Sequence, residues 1–128
     1  MLLKDRFFKV LSESRTDEQN AVFHCQLLAD CDVYRGHFPH KPVSPGVCNI
    51  EMIKECVMML TGQKLIIKGI KQCRLTAVAS PEVCPEVDVT VAVTPVFSEG
   101  ESLAGYNVVA SIADAARSYM EYKGEMAL

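Results

Sequence analysis

The residues most able to do chemistry lie between positions 35 and 51, where the sequence reads RGHFPHKPVSPGVCNIE. His37 stands between a glycine and Phe-Pro, on a loop whose backbone proline restrains. An imidazole has a pKa close to neutral pH, so His37 is a candidate general base. A loop histidine can also do no more than hydrogen-bond the backbone, and this residue alone leaves both interpretations open.

A carboxylate, Glu51, occupies the second turn of a mostly apolar helical segment. Burial there would disfavour the charged form and raise the pKa of Glu51 toward the range of a general acid. Alternatively, Glu51, Lys54, Glu55 and Met58 share one side of the helix and form a solvated stripe of i, i+3 and i, i+4 neighbours.

Gly46 is expected to be the second residue of that helix. Its N–H then points out of the positive end of the helix, where a developing oxyanion is favoured and the missing side chain admits a substrate. The alternative is that Pro-Gly only shapes the helix entrance. A base, an oxyanion donor and an acid together suit elimination of water from a 3-hydroxyacyl thioester.

The rest of the chain supplies elements that would position these residues. Alternating apolar residues predict a strand over Ala21 to Ala29, paired with RFFKVLS through the polar turn ESRTDEQN. A helix is predicted from Pro45 to Leu60, with Ser44 as N-cap and Gly62 closing it. Its expected apolar face comprises Val47, Ile50, Ile53, Val57 and Leu60. Four further strands are predicted: Lys64 to Leu75, Val87 to Phe97, Leu103 to Ala113 and Arg117 to Met126.

This order predicts an α+β fold with one antiparallel sheet packed on a helix, in a single domain spanning 1–128. The 128 residues are 49% apolar and carry a net charge of -3, which disfavours nucleic acid as a partner. No apolar segment is long enough to span a membrane, so a cytoplasmic protein is expected. The six cysteines form no C-x-x-C pair and are interpreted as reduced, mostly buried thiols, and neither a metal nor a cofactor is expected.

The stretch GHFPHKPVSPGVCNIE closely resembles the β-hydroxyacyl-acyl-carrier-protein dehydratases, whose pattern is G-H-F-P-x-x-P-x-x-P-G-V-x-x-x-E. The matching positions are Gly36, His37, Phe38, Pro39, Pro42, Pro45, Gly46, Val47 and Glu51. Weaker similarity extends over most of the chain and includes Asp5-Arg6. Three departures from the family are Glu55 in place of the usual Gln, His40 in place of Gly, and SPEV in place of P-G-D.

The resemblance implies a hotdog fold, with the sheet wrapped around one long central helix. It also implies dehydration of a 3-hydroxyacyl thioester, carried on an acyl carrier protein, to the trans-2-enoyl thioester in fatty-acid or polyene biosynthesis. His37 would be the base and Glu51 of the neighbouring chain the acid. Gly46 would bind the thioester carbonyl, and Phe38, Val47 and Glu55 would contact the substrate.

A homodimer or a trimer of dimers, with the active site at the subunit interface, is implied as well. Two alternatives to the dehydratase remain: a hotdog acyl thioesterase and a non-catalytic acyl-binding subunit. A thioesterase would use Glu51 and Gly46 but leave His37 without a role. A binding subunit would not need both His37 and Glu51.

Overall fold

The computed structural model describes residues 2–36 and 43–128. Its strands are β1 (Phe8–Asp17), β2 (Asn20–Leu27), β3 (Ile66–Leu75), β4 (Glu86–Phe97), β5 (Leu103–Ala113) and β6 (Ser118–Ala127). The helices are α1 (Val33–Gly36) and α2 (Gly46–Thr61). All six predicted strands and the predicted helix are confirmed, whereas the single-turn helix α1 was not predicted.

One antiparallel sheet contains all six strands, in the order β1-β2-β4-β5-β6-β3. The connections β1–β2, β4–β5 and β5–β6 are hairpins, as the turn sequences SEGES and DAA predict for the last two. Between β2 and β4 the chain passes through the helices and β3, which pairs with β6 at the far edge. This arrangement confirms the predicted α+β class and is consistent with the hotdog fold that the resemblance implies.

The core lies between the sheet and α2. Alternate residues of β2 and β4 are buried, among them Phe23, Cys25, Val89 and Val91, because a strand directs every second side chain to the same face. From α2, the buried apolar side chains are Met52, Ile53, Cys56, Val57 and Leu60. These side chains pack α2 against the inner face of the sheet, where it contacts β2, β3, β4 and β5.

Three local expectations need correction. The helix α2 has 16 residues, about 24 Å, so the expected long helix is not confirmed. Strand β1 continues to Asp17. The segment from Glu13 to Asp17, which was expected to lie in a polar turn, instead pairs with β2 and is exposed to solvent. Val47 is 75% exposed and does not belong to the apolar face of α2, since the buried stripe runs instead through Asn49, Met52 and Ile53.

In the described ranges, 2–36 and 43–128, no helix is both long and apolar enough to cross a bilayer. All six cysteines are free thiols: Cys25, Cys56 and Cys84 are buried, Cys31 and Cys48 are half-buried, and Cys73 is exposed. The expectation of reduced thiols agrees with this arrangement, although only half of them are fully buried.

His24 lies on the outer face of the sheet, between Phe23 and Cys25, whose side chains are buried on the inner face. Its Nδ1 is 2.7 Å from Asp88 Oδ1 and its Nε2 is 2.6 Å from Glu86 Oε1, both on the neighbouring strand β4. Hydrogen bonds to Asp88 first and to Glu86 second raise the pKa of His24 above its ordinary value.

This cluster predicts how stability depends on pH. Since the folded-state pKa of His24 is raised, its contribution is fully present below the unfolded pKa of about 6.5 and is lost as pH rises through the folded value. Melting temperatures of the wild type and His24→Gln, measured from pH 5 to 9, are expected to differ most at the acidic end. A difference that grows toward alkaline pH would contradict the assignment.

Candidate active site

The candidate site residues divide into those that the structure describes and those that it does not. Gly46, Val47, Glu51 and Glu55 all lie on α2. His37 and Phe38 fall in 37–42, outside the described residues, so their expected roles stay predictions. The geometry of the site is therefore built from α2 and the segments packed around its N-terminal half.

The N-terminus of α2 differs by one residue from the prediction. Pro45 is the N-cap, with φ -62° and ψ 145° and no side-chain capping bond, and Gly46 is the first helical residue. Ser44 cannot serve as the cap because it is turned into the core, where its Oγ lies 3.0 Å from Tyr34 Oη.

Two backbone donors precede the first intrahelical hydrogen bond. The carbonyl of Pro45 accepts from the N–H groups of Cys48 and Asn49, at 3.0 and 3.1 Å. The N–H groups of Gly46 and Val47 come before these, at the positive end of the helix dipole. A Cβ placed on Gly46 would lie 3.7 Å from Leu75 Cδ1, so this end of α2 faces the end of β3.

Glu51 lies in the second turn, and its side chain is 24% exposed. Its Oε1 is 3.7 Å from Lys54 Nζ, whereas its Oε2 is buried and has no hydrogen-bond partner. Burial first, and then the neighbouring Glu55 carboxylate, raise the pKa of Glu51, against an opposing effect of Lys54. Both effects disfavour the charged form relative to a solvent-exposed glutamate, which is the direction that suits a general acid.

Glu55 is one helical turn further on and only 2% exposed. Its Oε2 accepts the Leu3 N–H at 2.7 Å and its Oε1 accepts the Lys4 N–H at 2.9 Å. The solvated stripe that the helix periodicity offered as an alternative is therefore wrong for Glu55. Its carboxylate fastens the N-terminal segment to α2 and lies beside Glu51.

Comparison with known proteins identifies the family. The family model described as "ApeI-like: ApeI dehydratase" matches residues 13–99, more than half of the chain. The chain belongs to the ApeI-like dehydratase family. The sequence-based recognition of a hotdog dehydratase is thus confirmed, and the matched range contains the whole stretch from His37 to Glu51.

Solved structures share the fold of this ApeI-like chain at low sequence identity. One is "The Dehydratase Heterocomplex ApeI:P from Xenorhabdus doucetiae", with a TM-score of 0.66 and 15% identity, covering 94% of this chain and 97% of that one. Another is an uncharacterized protein from Erwinia carotovora subsp. atroseptica, with a TM-score of 0.56, 16% identity and 92% coverage of both chains. No curated protein matches the sequence.

One polar residue near the site was missed by sequence reasoning. Asn49 occupies the buried stripe of α2, is 2% exposed, and has an Oδ1 atom without a hydrogen-bond partner. The available signal was an amide side chain at a helical position otherwise surrounded by core residues such as Met52, Ile53 and Cys56. Within 2–36 and 43–128, no group of three or more His, Cys, Asp or Glu side chains is arranged to hold a metal ion.

The Glu55 contacts in this ApeI-like domain predict a measurable loss of stability. Glu55→Ala leaves the N–H groups of Leu3 and Lys4 without their acceptor, which is expected to cost about 2 kcal/mol in the free energy of unfolding. Glu55→Gln keeps one carbonyl acceptor and is expected to lose about half as much. Urea denaturation of the three proteins measures this order, and equal stability of Glu55→Ala and wild type would contradict it.

Proposed function

We propose that the protein dehydrates a 3-hydroxyacyl thioester, carried on the phosphopantetheine arm of an acyl carrier protein, to the trans-2-enoyl thioester. The observation that carries this proposal is that Glu51 Oε2 is buried without a hydrogen-bond partner and that the pKa of Glu51 is raised. A carboxyl group in this environment is suited to donate a proton to a substrate atom. Membership of a dehydratase family supports a reaction in which that acceptor is a departing hydroxyl.

In the proposed reaction His37 removes a proton from C2 of the acyl chain. Electrons of the broken C–H bond form the C2–C3 double bond as the C3–O bond breaks, and Glu51 protonates the hydroxyl so that it leaves as water. The N–H of Gly46 binds the thioester oxygen while negative charge develops there. The protonated His37 and ionised Glu51 return to their starting states by proton exchange with water.

The remaining site residues have supporting roles in this proposal. Val47 is exposed beside Gly46, where it offers an apolar contact to an incoming acyl chain or arm. Phe38, which follows His37 in the sequence, would provide a second apolar contact. Glu55 would act on the substrate only indirectly, through Glu51, since both of its oxygens accept hydrogen bonds from backbone N–H groups.

We place the site at an interface between two copies of the chain. Strand β3 is at the edge of the sheet, and exposed apolar side chains lie along it and just beyond it: Ile66, Ile70, Leu75 and Val78. An apolar, unpaired strand edge favours pairing with another chain. The N-terminus of α2 lies beside Leu75, so a partner covering this edge would also approach Gly46.

The partner at this edge is proposed to be a second copy, in a homodimer or a trimer of dimers. One structural relative is described as a heterocomplex, so a different subunit is the competing occupant. Sedimentation of the purified chain, alone and after Ile70→Lys, tests this point. A wild type that sediments as a monomer would contradict the proposed homo-oligomer but not the proposed dehydration.

The test of the reaction is mass spectrometry of a 3-hydroxyacyl-carrier protein incubated with the wild type. Loss of one water from the acyl-carrier protein, dependent on the enzyme, is the expected result. Release of the free acid would identify a thioesterase instead. An unchanged substrate across short, medium and long acyl chains would favour an acyl-binding subunit.

A further inference from the structure

A small cavity lies beside the N-terminus of α2, between the helix and the segment that leaves β3. Its volume is about 190 Å³. The lining residues are Val43, Ser44, Asn49, Leu75, Thr76, Ala77, Val78 and Ala79. The cavity is mostly apolar, so the few polar side chains in its wall decide which polar groups it can accept.

Two of those polar side chains already have partners. Ser44 Oγ lies 3.0 Å from Tyr34 Oη, and Thr76 Oγ1 donates to the Ser118 carbonyl at 2.8 Å. By contrast, Asn49 Oδ1 is buried without a hydrogen-bond partner although the residue is only 2% exposed. Among the described polar side chains of this wall, Asn49 is therefore the one with a buried oxygen that lacks a hydrogen-bond partner.

An unpartnered buried amide is costly. Leaving one polar atom unsatisfied destabilises a folded protein by roughly 1–3 kcal/mol, whereas leucine of similar size would carry no such penalty at this core position. The neighbouring positions of the stripe, Met52 and Ile53, are apolar and fully buried. The cost of Asn49 is offset if its side chain makes a hydrogen bond outside the single chain.

The separation of Asn49 from Gly46 along α2 indicates which group of a substrate the Asn49 side chain would bind. Asn49 is three residues beyond Gly46, on the same side of the helix and about 4.5 Å further along its axis. A thioester oxygen held by the Gly46 N–H would leave the acyl chain extending beside the helix toward Asn49. The hydroxyl of a 3-hydroxyacyl group is on C3, two bonds from the carbonyl carbon. That separation is shorter than the rise of about 4.5 Å between Gly46 and Asn49 along the helix axis.

We propose that the Asn49 side chain binds the 3-hydroxyl group of the substrate in this cavity and so selects hydroxylated acyl thioesters. A carboxamide offers both a donor and an acceptor, which matches the donor and acceptor of a hydroxyl group. The hydrogen bond holds the C3–O bond in one orientation for protonation by Glu51 of the neighbouring subunit, since Asn49 and Glu51 of one helix are two residues apart and do not face each other. It is lost when the hydroxyl departs as water. This inference rests on the proposed dehydration and assigns a specificity residue to it.

Two inert ligands that differ only in the hydroxyl test the proposal. They are pantetheine amides of a 2,2-difluoro-3-hydroxyacyl chain and of the matching 2,2-difluoroacyl chain, which cannot eliminate water because C2 carries no hydrogen. Calorimetric titration of the wild type is expected to show about tenfold tighter binding of the hydroxylated ligand. Asn49→Leu is expected to bind the two ligands equally and to keep the wild-type affinity for the one without the hydroxyl.

The controls separate this inference from its alternatives. Asn107→Leu, at an exposed position of β5, should keep the wild-type ratio of affinities, and Asn49→Ala replaces Asn49→Leu if the leucine variant does not fold. Three results for the Asn49 variants would overturn the proposal. The ratio of the two ligand affinities could stay unchanged, both affinities could fall equally, or the dimer dissociation constant could change while the ligand affinities do not. A wild type that binds neither ligand and dehydrates no 3-hydroxyacyl thioester would instead overturn the proposed function.

Discussion

Glu51→Gln is expected to lower the rate of dehydration by about 10²–10⁴-fold, because the amide cannot protonate a departing hydroxyl. The variant keeps the shape of the side chain and removes its ionisation. Since burial and the Glu55 carboxylate disfavour the charged form of Glu51, a neutral amide is expected to leave the melting temperature unchanged or higher at neutral pH. Initial rates with a 3-hydroxyacyl-carrier protein and a thermal melt of the same sample measure both effects.

Glu99→Gln is a matched control for the chemical change, since Glu99 is exposed in the turn between β4 and β5. It should retain the wild-type rate.

The raised pKa of Glu51 also predicts how the dehydration rate depends on pH. The wild-type rate is expected to fall as pH rises through that pKa, because the acid loses its proton. Turnover by Glu51→Gln at the wild-type rate would remove Glu51 from the mechanism.

A mixture of two inactive variants is expected to recover activity. His37→Ala lacks the proposed base and Glu51→Gln the proposed acid, so each homodimer is inactive. If each site takes His37 from one subunit and Glu51 from the other, a mixed dimer contains one intact site and one site with both changes. Random exchange of subunits is then expected to restore roughly a quarter of the wild-type activity.

The experiment unfolds the two variants together in urea, refolds them, and follows dehydration in the same assay. Each variant refolded alone is the control for residual activity. Sites formed within a single chain would give no recovery, because no chain in the mixture carries both His37 and Glu51. That outcome would leave the proposed reaction standing and place both residues of a site in one subunit.

Local patterns in the sequence determined the elements and the family. The alternation through β2 and β4 depends only on which residues are apolar at every second position, so it predicts their buried faces correctly. Gly62 ends α2 in the left-handed conformation, with φ 70°, that glycine adopts at low cost. The stretch from Gly36 to Glu51 carries the dehydratase pattern in its own residues, and the family match agrees with it.

The tertiary structure alone decided which residues of α2 are buried and what they contact. Glu55 meets backbone donors 51 and 52 residues away, and no helical periodicity contains that partner. Val47 is exposed and Asn49 buried because burial depends on how α2 rotates against the sheet, which a nearly all-apolar helix does not specify. The place of β3 at the sheet edge, and with it the exposed apolar surface beside Gly46, likewise follows from strand pairings between distant parts of the chain.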